Sequence, residues 1–147
     1  MQRQLRSHIL VALQLIGVAI SCYPVGMENR GFVTALVLCV LGGALGVYTL
    51  LHNKIGNFSV YPEPRVQAIL VTSGPYRYVR HPMYVALCTM MFGIALYNGH
   101  WMNFLGGVLV TFVVLTKAGI EEQHLVRKFA NYRNYADSTS RFIPKIY

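Results

Sequence analysis

Residues 31–51 read GFVTALVLCVLGGALGVYTLL, a run of 21 residues without a charged side chain. A bilayer core about 30 Å thick is crossed by a helix of about 20 mostly apolar residues. The run therefore predicts a membrane-spanning helix, and an integral membrane protein is the first hypothesis for the whole chain.

The composition of the chain and three further apolar runs favour the same hypothesis. Of the 147 residues, 54% are hydrophobic and 12% are charged. That charged share is about half the usual value for a soluble domain, and the mean hydropathy is +0.43. We expect an all-α fold with about four transmembrane helices, over 9–26, 31–51, 83–98 and 101–116.

The basic residues lie almost entirely on one side of these spans. The turn between the first two spans contains Arg30, and the turn between the last two contains no Lys or Arg. The positive-inside rule therefore predicts that both termini face the cytoplasm. The net charge of +8 then reflects topology, and we expect no nucleic-acid partner. The compact chain and its short external turns favour a prokaryotic inner membrane. The twelve basic residues on the predicted cytoplasmic side are Arg3, Arg6, Lys54, Arg65, Arg77, Arg80, Lys117, Arg127, Lys128, Arg133, Arg141 and Lys145.

Glycines on the second span indicate close helix packing. Gly42 and Gly46 are four residues apart and so share one helix face, a spacing that lets helix backbones approach. We interpret this face as an intrachain contact in preference to a dimer contact. The sequence gives no oligomeric state.

The long loop over 56–82 ends at the start of the third span. Pro62 and Pro64 exclude a regular helix around Glu63. Pro82 suits the first position of the third helix, where its missing N–H has no consequence. This placement puts His81 and Tyr84 at the mouth of a helix.

The sequence after the fourth span predicts a C-terminal amphipathic helix over 119–136. At 100° per residue, the two carboxylates Glu121 and Glu122 fall at the margins of its apolar arc. We therefore expect both to lie on the docking face, beside the loop. The arc itself is formed by Leu125, Phe129, Tyr132 and Ala136, and the opposite face by Arg127, Asn131 and Asn134.

The expected cytoplasmic rim combines aromatic rings with carboxylates. Such groups suit a cationic or polyhydroxylated cofactor, through cation–π contacts and charge-assisted hydrogen bonds. No metal site is expected, because the five histidines show no ligand spacing. The rim residues are Tyr76, Tyr78, His81, Tyr84, Glu121 and Glu122, and the histidines are His8, His52, His81, His100 and His124.

In this order, the motifs resemble the isoprenylcysteine carboxyl methyltransferase family and the related phospholipid N-methyltransferases. The chain contains LVTSGPYRYVRHPMY, then EE, then F-x-x-Y-x-x-Y. The family pattern R-H-P-x-Y-x-G is followed by some thirty residues and E-E. Here 34 residues separate Ala86 from Glu121, and the resemblance covers roughly 56–144.

This resemblance implies a membrane methyltransferase that uses S-adenosylmethionine on a small or lipid-like acceptor. It implies that His81 and Glu121 act in catalysis or orient the cofactor. Lys117 stands where the isoprenylcysteine enzymes have an arginine that meets the substrate carboxylate. A lysine keeps the charge but lacks the bidentate fork. The cofactor-binding residues implied by position are Leu70, Val71, Tyr76, His81, Pro82, Tyr84, Glu121 and Glu122.

Besides Lys117, two further departures from the family pattern and two other functions remain open at this point. Ala86 replaces the usual glycine, and family members often have five or more spans. The chain is alternatively a relative of the NADPH-dependent membrane sterol reductases, or a non-enzymatic scaffold. The Arg and Tyr residues of the loop would then serve only as lipid and interface anchors. The acceptor itself is undetermined among a carboxylate, an amine and a thiol.

Overall fold

The computed structural model describes residues 2–24, 31–53, 57 and 59–145, with Arg3 described by its backbone only. The predicted all-α membrane fold is confirmed, since three described helices are long and apolar enough to cross a bilayer and a fourth is apolar but shorter. Two expected features, the turn with Arg30 and the start of the loop at Lys54 and Gly56, lie outside the described residues. The helices are α1 (Gln2–Cys22), α2 (Phe32–His52), α3 (Pro82–Asn98), α4 (Trp101–Lys128) and α5 (Tyr132–Ser138), with a 3₁₀ turn at Gly74–Arg77.

The helix boundaries at both ends of the chain differ from the predicted ones. Helix α1 begins at Gln2 and ends at Cys22, and α4 continues to Lys128. At 1.5 Å per residue, the 28 residues of α4 extend for about 42 Å, which is about 12 Å longer than the bilayer core. The C-terminal end of α4 can therefore carry charged residues without entering the hydrocarbon.

The single helix predicted over 119–136 is divided in two. Its first part belongs to α4, which ends where Phe129 adopts an extended backbone conformation, and its second part is α5. The predicted docking face survives this break, because Tyr132 is buried and Leu125 and Phe129 line a cavity. The residues predicted on the opposite face, Arg127, Asn131 and Asn134, are exposed.

Helix α3 occupies the centre of the bundle. It packs against α1, α2 and α4, while α1 also packs along α4. No residue of α3 is exposed, although its 17 residues extend for only about 25 Å. A helix this short is tolerated because protein rather than lipid surrounds it. Exposed apolar side chains such as Leu15 and Val40 cover the outer faces of α1 and α2, as expected for lipid-facing surfaces.

The glycine face of α2 is the contact with α3, which confirms the intrachain interpretation. A Cβ on Gly42 would lie 2.9 Å from both Ala86 O and Met90 N, so the two backbones touch there. A Cβ on Gly46 would lie 3.7 Å from the Ala86 side chain, an ordinary contact. Ala86 is 2% exposed and is not among the residues that line the cavity. Its extra methyl group is therefore accommodated between helices.

We expect Gly42→Ala to lower the free energy of unfolding by about 1–3 kcal/mol, because the added methyl group overpacks the α2–α3 contact. Gly43→Ala is the matched control, since no described atom lies within 4 Å of its Cβ position. We expect the control to be neutral or stabilising by about 0.5–1 kcal/mol. Unfolding by sodium dodecyl sulfate in mixed micelles measures both. Equal stability of the two variants would contradict this packing.

The end of the bundle opposite the α2–α3 loop is closed by buried polar side chains. The Asn103 amide donates to the carbonyl oxygens of Ile20 (2.9 Å), Ser21 (3.1 Å) and Tyr23 (2.8 Å). Asn98 donates to the Ser21 carbonyl at 3.2 Å. These bonds satisfy carbonyl groups at the C-terminus of α1, which would otherwise lack partners. They fix α1 against α3 and α4, and so fix the positions of those helices at the other end.

Candidate active site

A cavity of about 230 Å³ lies at the end of the bundle where α2 ends and α3 begins. Its wall combines residues from α1, the α2–α3 loop, α3, α4 and α5. Glu121 is the twenty-first residue of α4, about 30 Å from Trp101, a distance equal to the thickness of a bilayer core. The lining residues used below are Gln14, Val60, Glu63, Leu70, Val71, Tyr76, Arg80, His81, Pro82, Tyr84, Lys117, Glu121, Leu125, Phe129, Tyr132 and Tyr135.

Glu122 lies at the centre of an ion cluster and is not one of the cavity-lining residues. Arg80 Nε donates to its Oε1 at 2.8 Å, and Arg141 Nη2 donates to its Oε2 at 2.6 Å. His81 Nε2 lies 3.2 Å from Oε1. The side chains of the three ion-paired groups, Arg80, Arg141 and Glu122, are between 14% and 23% exposed. The arrangement ties α4 to the loop and to the C-terminal segment.

The same cluster holds the residues before α3 against the segment after α5. Backbone N–H groups of Arg80 and His81 donate to the carbonyl oxygens of Ser140 and Arg141, at 2.9 and 3.2 Å. Arg80 Nη1 also donates to the carbonyl oxygen of Ala136 at 2.7 Å, near the end of α5. A cation at a helix C-terminus stabilises carbonyl groups that have no partner in the helix. Arg80 therefore positions the loop in addition to pairing with Glu122.

Glu121 faces the cavity, one residue from Glu122. Successive residues of a helix point about 100° apart, so the two carboxylates diverge. The Tyr84 hydroxyl donates to Glu121 Oε2 at 3.1 Å, and His81 Nδ1 lies 3.7 Å from the same oxygen. The Glu121 side chain is 32% exposed, against 16% for Glu122. Glu121 is therefore the carboxylate that a ligand in the cavity can reach.

Three tyrosines outside the spans contribute neutral phenol groups to the cavity. Burial raises the pKa of Tyr135 to about 12, and it raises the pKa of Tyr76 and Tyr132 further. The charge of Glu121 adds to the effect on the pKa of Tyr76. The phenols consequently remain protonated at neutral pH and act as hydrogen-bond donors. Tyr135 already donates to the Tyr76 carbonyl oxygen at 2.6 Å, which ties α5 to the 3₁₀ turn.

Leu70 and Val71 line the cavity from an irregular stretch of the loop. Two bonds hold this stretch: the Asn57 side chain donates to the Ile69 carbonyl at 2.9 Å and accepts from the Ile69 N–H at 2.8 Å. Pro82 begins α3 as expected and is buried in the wall. The loop therefore presents both apolar side chains and backbone groups to the cavity.

Lys117 is a buried cation in the wall, 2% exposed. Its Nζ donates to Gln14 Oε1 and to the Val60 carbonyl oxygen, both at 2.7 Å, and lies 5.9 Å from the centre of the Tyr84 ring. An ammonium group has three N–H donors. In the described part of the chain, two of them are used by protein acceptors.

The structure brings together all but two of the residues predicted for the site, since Tyr78 is 61% exposed and does not line the cavity. Leu70, Val71, Tyr76, His81, Pro82, Tyr84, Lys117 and Glu121 all line the cavity, whereas Glu122 lies in the adjoining ion cluster. Sequence reasoning missed Gln14, Val60 and Glu63 as lining residues, and treated Tyr132 and Tyr135 only as docking residues. No motif or spacing in the sequence marked Gln14 or Val60 as residues of the site. The prolines beside Glu63 indicated an irregular loop but not its position.

These groups suit a ligand that carries positive charge and many hydrogen-bonding atoms. Glu121 supplies an anion, the tyrosines supply neutral donors and aromatic faces, and Leu70 and Val71 supply an apolar surface. Carboxylates and aromatic rings both bind cations. Within the described ranges, no three His, Cys, Asp or Glu side chains come together as metal ligands.

A family model described as phospholipid methyltransferase matches residues 31–132, more than two thirds of the chain. The matched region contains α2, α3 and α4 and most of the cavity wall. No curated protein matches.

Proposed function

The chain belongs to the phospholipid methyltransferase family, and we propose that it transfers a methyl group from S-adenosylmethionine to a lipid-like acceptor that enters the cavity from the bilayer. The single observation that carries the proposal is the cavity itself. It joins the motif residues His81, Tyr84 and Glu121 at a distance along α4 from Trp101 that equals the thickness of a bilayer core. A donor from the cytoplasm and an acceptor from the membrane can meet there.

The residues of the cavity fit S-adenosylmethionine by charge and by hydrogen-bonding capacity. Glu121 would pair with a cationic part of the cofactor, and Tyr76 would donate from its neutral phenol. Leu70 and Val71 would contact its apolar surface. When bound, the cofactor supplies a methyl group on a positively charged sulfur. The chain's own contribution is orientation, which in well-placed reactants amounts to roughly 7–11 kcal/mol.

Among the motif residues, we assign Glu121 and His81 to cofactor binding and Glu122 to a positioning role. His81 is 5% exposed and lies between both glutamates, with its ring stacked on Tyr84 at 5.5 Å between centroids. A ring held in this way has little freedom to move, so it keeps Glu121 and Tyr84 in place. Glu122 acts on the ligand only through His81 and the loop.

Lys117 is the group that we assign to the acceptor. Its buried ammonium lines the cavity, and among the described residues one N–H remains beyond those donated to Gln14 and Val60. An anionic group of a lipid, such as a phosphate, would accept from it. This role keeps the charge of the arginine in the isoprenylcysteine enzymes without its bidentate geometry.

We further propose that the cavity faces the cytoplasm, with both chain termini on that side, in a prokaryotic inner membrane. The support is the placement of twelve of thirteen Lys and Arg residues on the side of the loop and the termini. Cysteine labelling from outside the cell at engineered positions 24 and 143 would test it. Labelling of position 24 but not of position 143 is the expected result.

The direct test of the proposed function is transfer of a radioactive methyl group. Purified protein in nanodiscs would be given S-[methyl-³H]adenosylmethionine and total bacterial lipids, and the lipids extracted and counted. We expect label in one lipid class, and no label when the acceptor lipids are replaced by inert detergent. Binding of S-adenosylhomocysteine without any labelled lipid would support the cofactor site and contradict methyl transfer to these lipids.

A further inference from the structure

A second cavity, of about 590 Å³, lies outside the active site, between the 3₁₀ turn and the segment that follows α5. We call it the basic pocket, after the four basic side chains that the described residues place in its wall. Its charged lining residues are Arg77, Arg80, Arg141 and Lys145, with one carboxylate, Asp137. Among the described residues, Arg80 alone lines both cavities. The basic pocket is therefore a separate site that adjoins the active site at Arg80.

The positive charge of the basic pocket is only partly neutralised by protein groups. Arg80 and Arg141 pair with Glu122, at 2.8 and 2.6 Å. Within the described ranges, the side chains of Arg77 and Lys145 have no hydrogen-bond or ion-pair partner. Four cations therefore face two carboxylates, that of Glu122 and the one on α5, which leaves a net charge of +2. An anionic ligand would find two cationic side chains available to it.

The backbone bends sharply at Lys145, where that residue lines the basic pocket. Lys145 has a φ of 67°, in the left-handed region that residues other than glycine adopt infrequently. Its N–H donates to Ser140 Oγ at 2.8 Å, which closes the turn between the two residues. Backbone strain of this kind is found preferentially where a chain holds a ligand. The strained turn keeps Lys145 in the wall of the pocket and supports a binding role for it.

The basic pocket lies beside the end of a membrane-spanning helix. The 3₁₀ turn packs on α2, and a Cβ on Gly74 would overlap the ring of His52, the last residue of α2. Arg77 is the last residue of that turn, and Tyr78 follows it. The 21 residues of α2 extend for about 31 Å, which matches the thickness of a bilayer core. Tyr78 is 61% exposed, as is typical of tyrosines in the headgroup layer directly outside that core.

We propose that the basic pocket binds the phosphate group of an anionic phospholipid, with Arg77 and Lys145 as its direct partners. The inference goes beyond the proposed function and does not depend on it. Arginine offers a planar pair of donors to phosphate oxygens, and lysine offers a compact positive charge. The place of the pocket beside α2 favours a lipid headgroup over a soluble phosphate as the source. A headgroup that also carries a cation should bind more weakly, because like charges repel in a pocket that is already positive.

A phosphate held in this way would link two segments of the chain. Arg77 belongs to the loop before α3, and Lys145 belongs to the segment after α5. The same two segments are already joined by the backbone hydrogen bond from Arg80 to Ser140. Bound anionic lipid should therefore raise the resistance of the folded protein to unfolding, as a ligand of the native state does.

The first test is calorimetric titration of the full-length protein in detergent with two short-chain lipids. Dioctanoylphosphatidylglycerol is anionic, and dioctanoylphosphatidylcholine carries a quaternary ammonium group. We expect wild type to prefer the anionic lipid at least about tenfold, the effect of one hydrogen bond between charged groups. A variant with both Arg77→Gln and Lys145→Gln should lose that preference. Arg133→Gln, which removes an exposed arginine of α5 outside the pocket, is the matched control and should keep it.

Equal affinity of wild type for the two lipids would overturn the proposal, and so would a preference retained by the double variant. Inorganic phosphate, titrated in the same way, distinguishes a lipid from a soluble ion as the source of the phosphate. We expect it to bind at least about 100-fold more weakly, because it lacks the acyl chains that keep a lipid concentrated beside α2. Inorganic phosphate that binds as tightly as the lipid would refute the lipid as ligand.

The second test is a gain of affinity, which a misfolded variant would not show. Asp137→Asn removes the carboxylate of α5 from the pocket wall. We expect it to bind the anionic lipid about two- to fivefold more tightly than wild type, the range for an exposed charge interaction. Weaker or unchanged binding would contradict the proposal. S-adenosylhomocysteine affinity should stay within about twofold of wild type in all these variants, so failure of the proposed function is recognised separately, as absence of that binding to wild type.

Discussion

Glu121→Gln protein is expected to fold normally and to bind S-adenosylhomocysteine about 10- to 100-fold more weakly than wild type. The substitution removes the negative charge and keeps the size of the side chain that faces the cavity. Hydrogen bonds to charged groups contribute about 1.5–3 kcal/mol, which corresponds to that range of affinity. Isothermal titration calorimetry of the purified protein measures the affinity directly.

Stability should change little in this variant, because the side chain of Glu121 is 32% exposed and accepts one hydrogen bond, from Tyr84, within the described chain. Asp137→Asn is the control, since it makes the same chemical change on an exposed part of α5. An unchanged affinity in Glu121→Gln, with the control also unchanged, would mean that Glu121 does not contact the cofactor.

The same change at the neighbouring residue, Glu122→Gln, should have the opposite pattern, with its main effect on stability and not on cofactor affinity. We expect Glu122→Gln to lower the free energy of unfolding by about 3 kcal/mol, the lower end of the effect of breaking a buried ion pair. Two arginines and His81 would lose their shared anion. The partial exposure of the cluster, between 14% and 23%, places the expected effect at that lower end. Unfolding in mixed micelles measures it.

Glu121→Gln is the matched control for Glu122→Gln, because both variants lose one carboxylate from the same turn of α4. Protection of the segment 139–142 from limited proteolysis should also decrease in Glu122→Gln, since that segment is held by Arg80 and Arg141. A Glu122→Gln protein as stable as Glu121→Gln would show that the cluster does not hold the loop.

Local sequence rules were sufficient for the parts of the fold that depend on one helix at a time. The apolar run of α2, the glycine face with Gly42 and the opening of α3 at Pro82 all follow from composition and spacing. The prediction that Glu121 and Glu122 share a docking face also follows from helical geometry. Each of these inferences needs only the neighbours along the chain.

The remaining features depend on partners far away in the sequence. The fourth span was predicted to end at Thr116, yet α4 continues to Lys128, and Lys117 is buried and bonded to Gln14 and Val60. Which glutamate faces the cavity depends on Arg141, at the far end of the chain. Glu63 lies in a stretch whose irregular path is set by contacts with α1, and no periodicity describes such a path.

The measurement that tests the central claim most directly is calorimetric titration of the wild-type protein in detergent with S-adenosylhomocysteine, with NADPH in parallel. We expect saturable binding of S-adenosylhomocysteine and no binding of NADPH. Binding of NADPH alone would identify a reductase. Binding of neither compound, by protein shown to be folded, would contradict the methyltransferase assignment and leave a scaffold as the function of this chain.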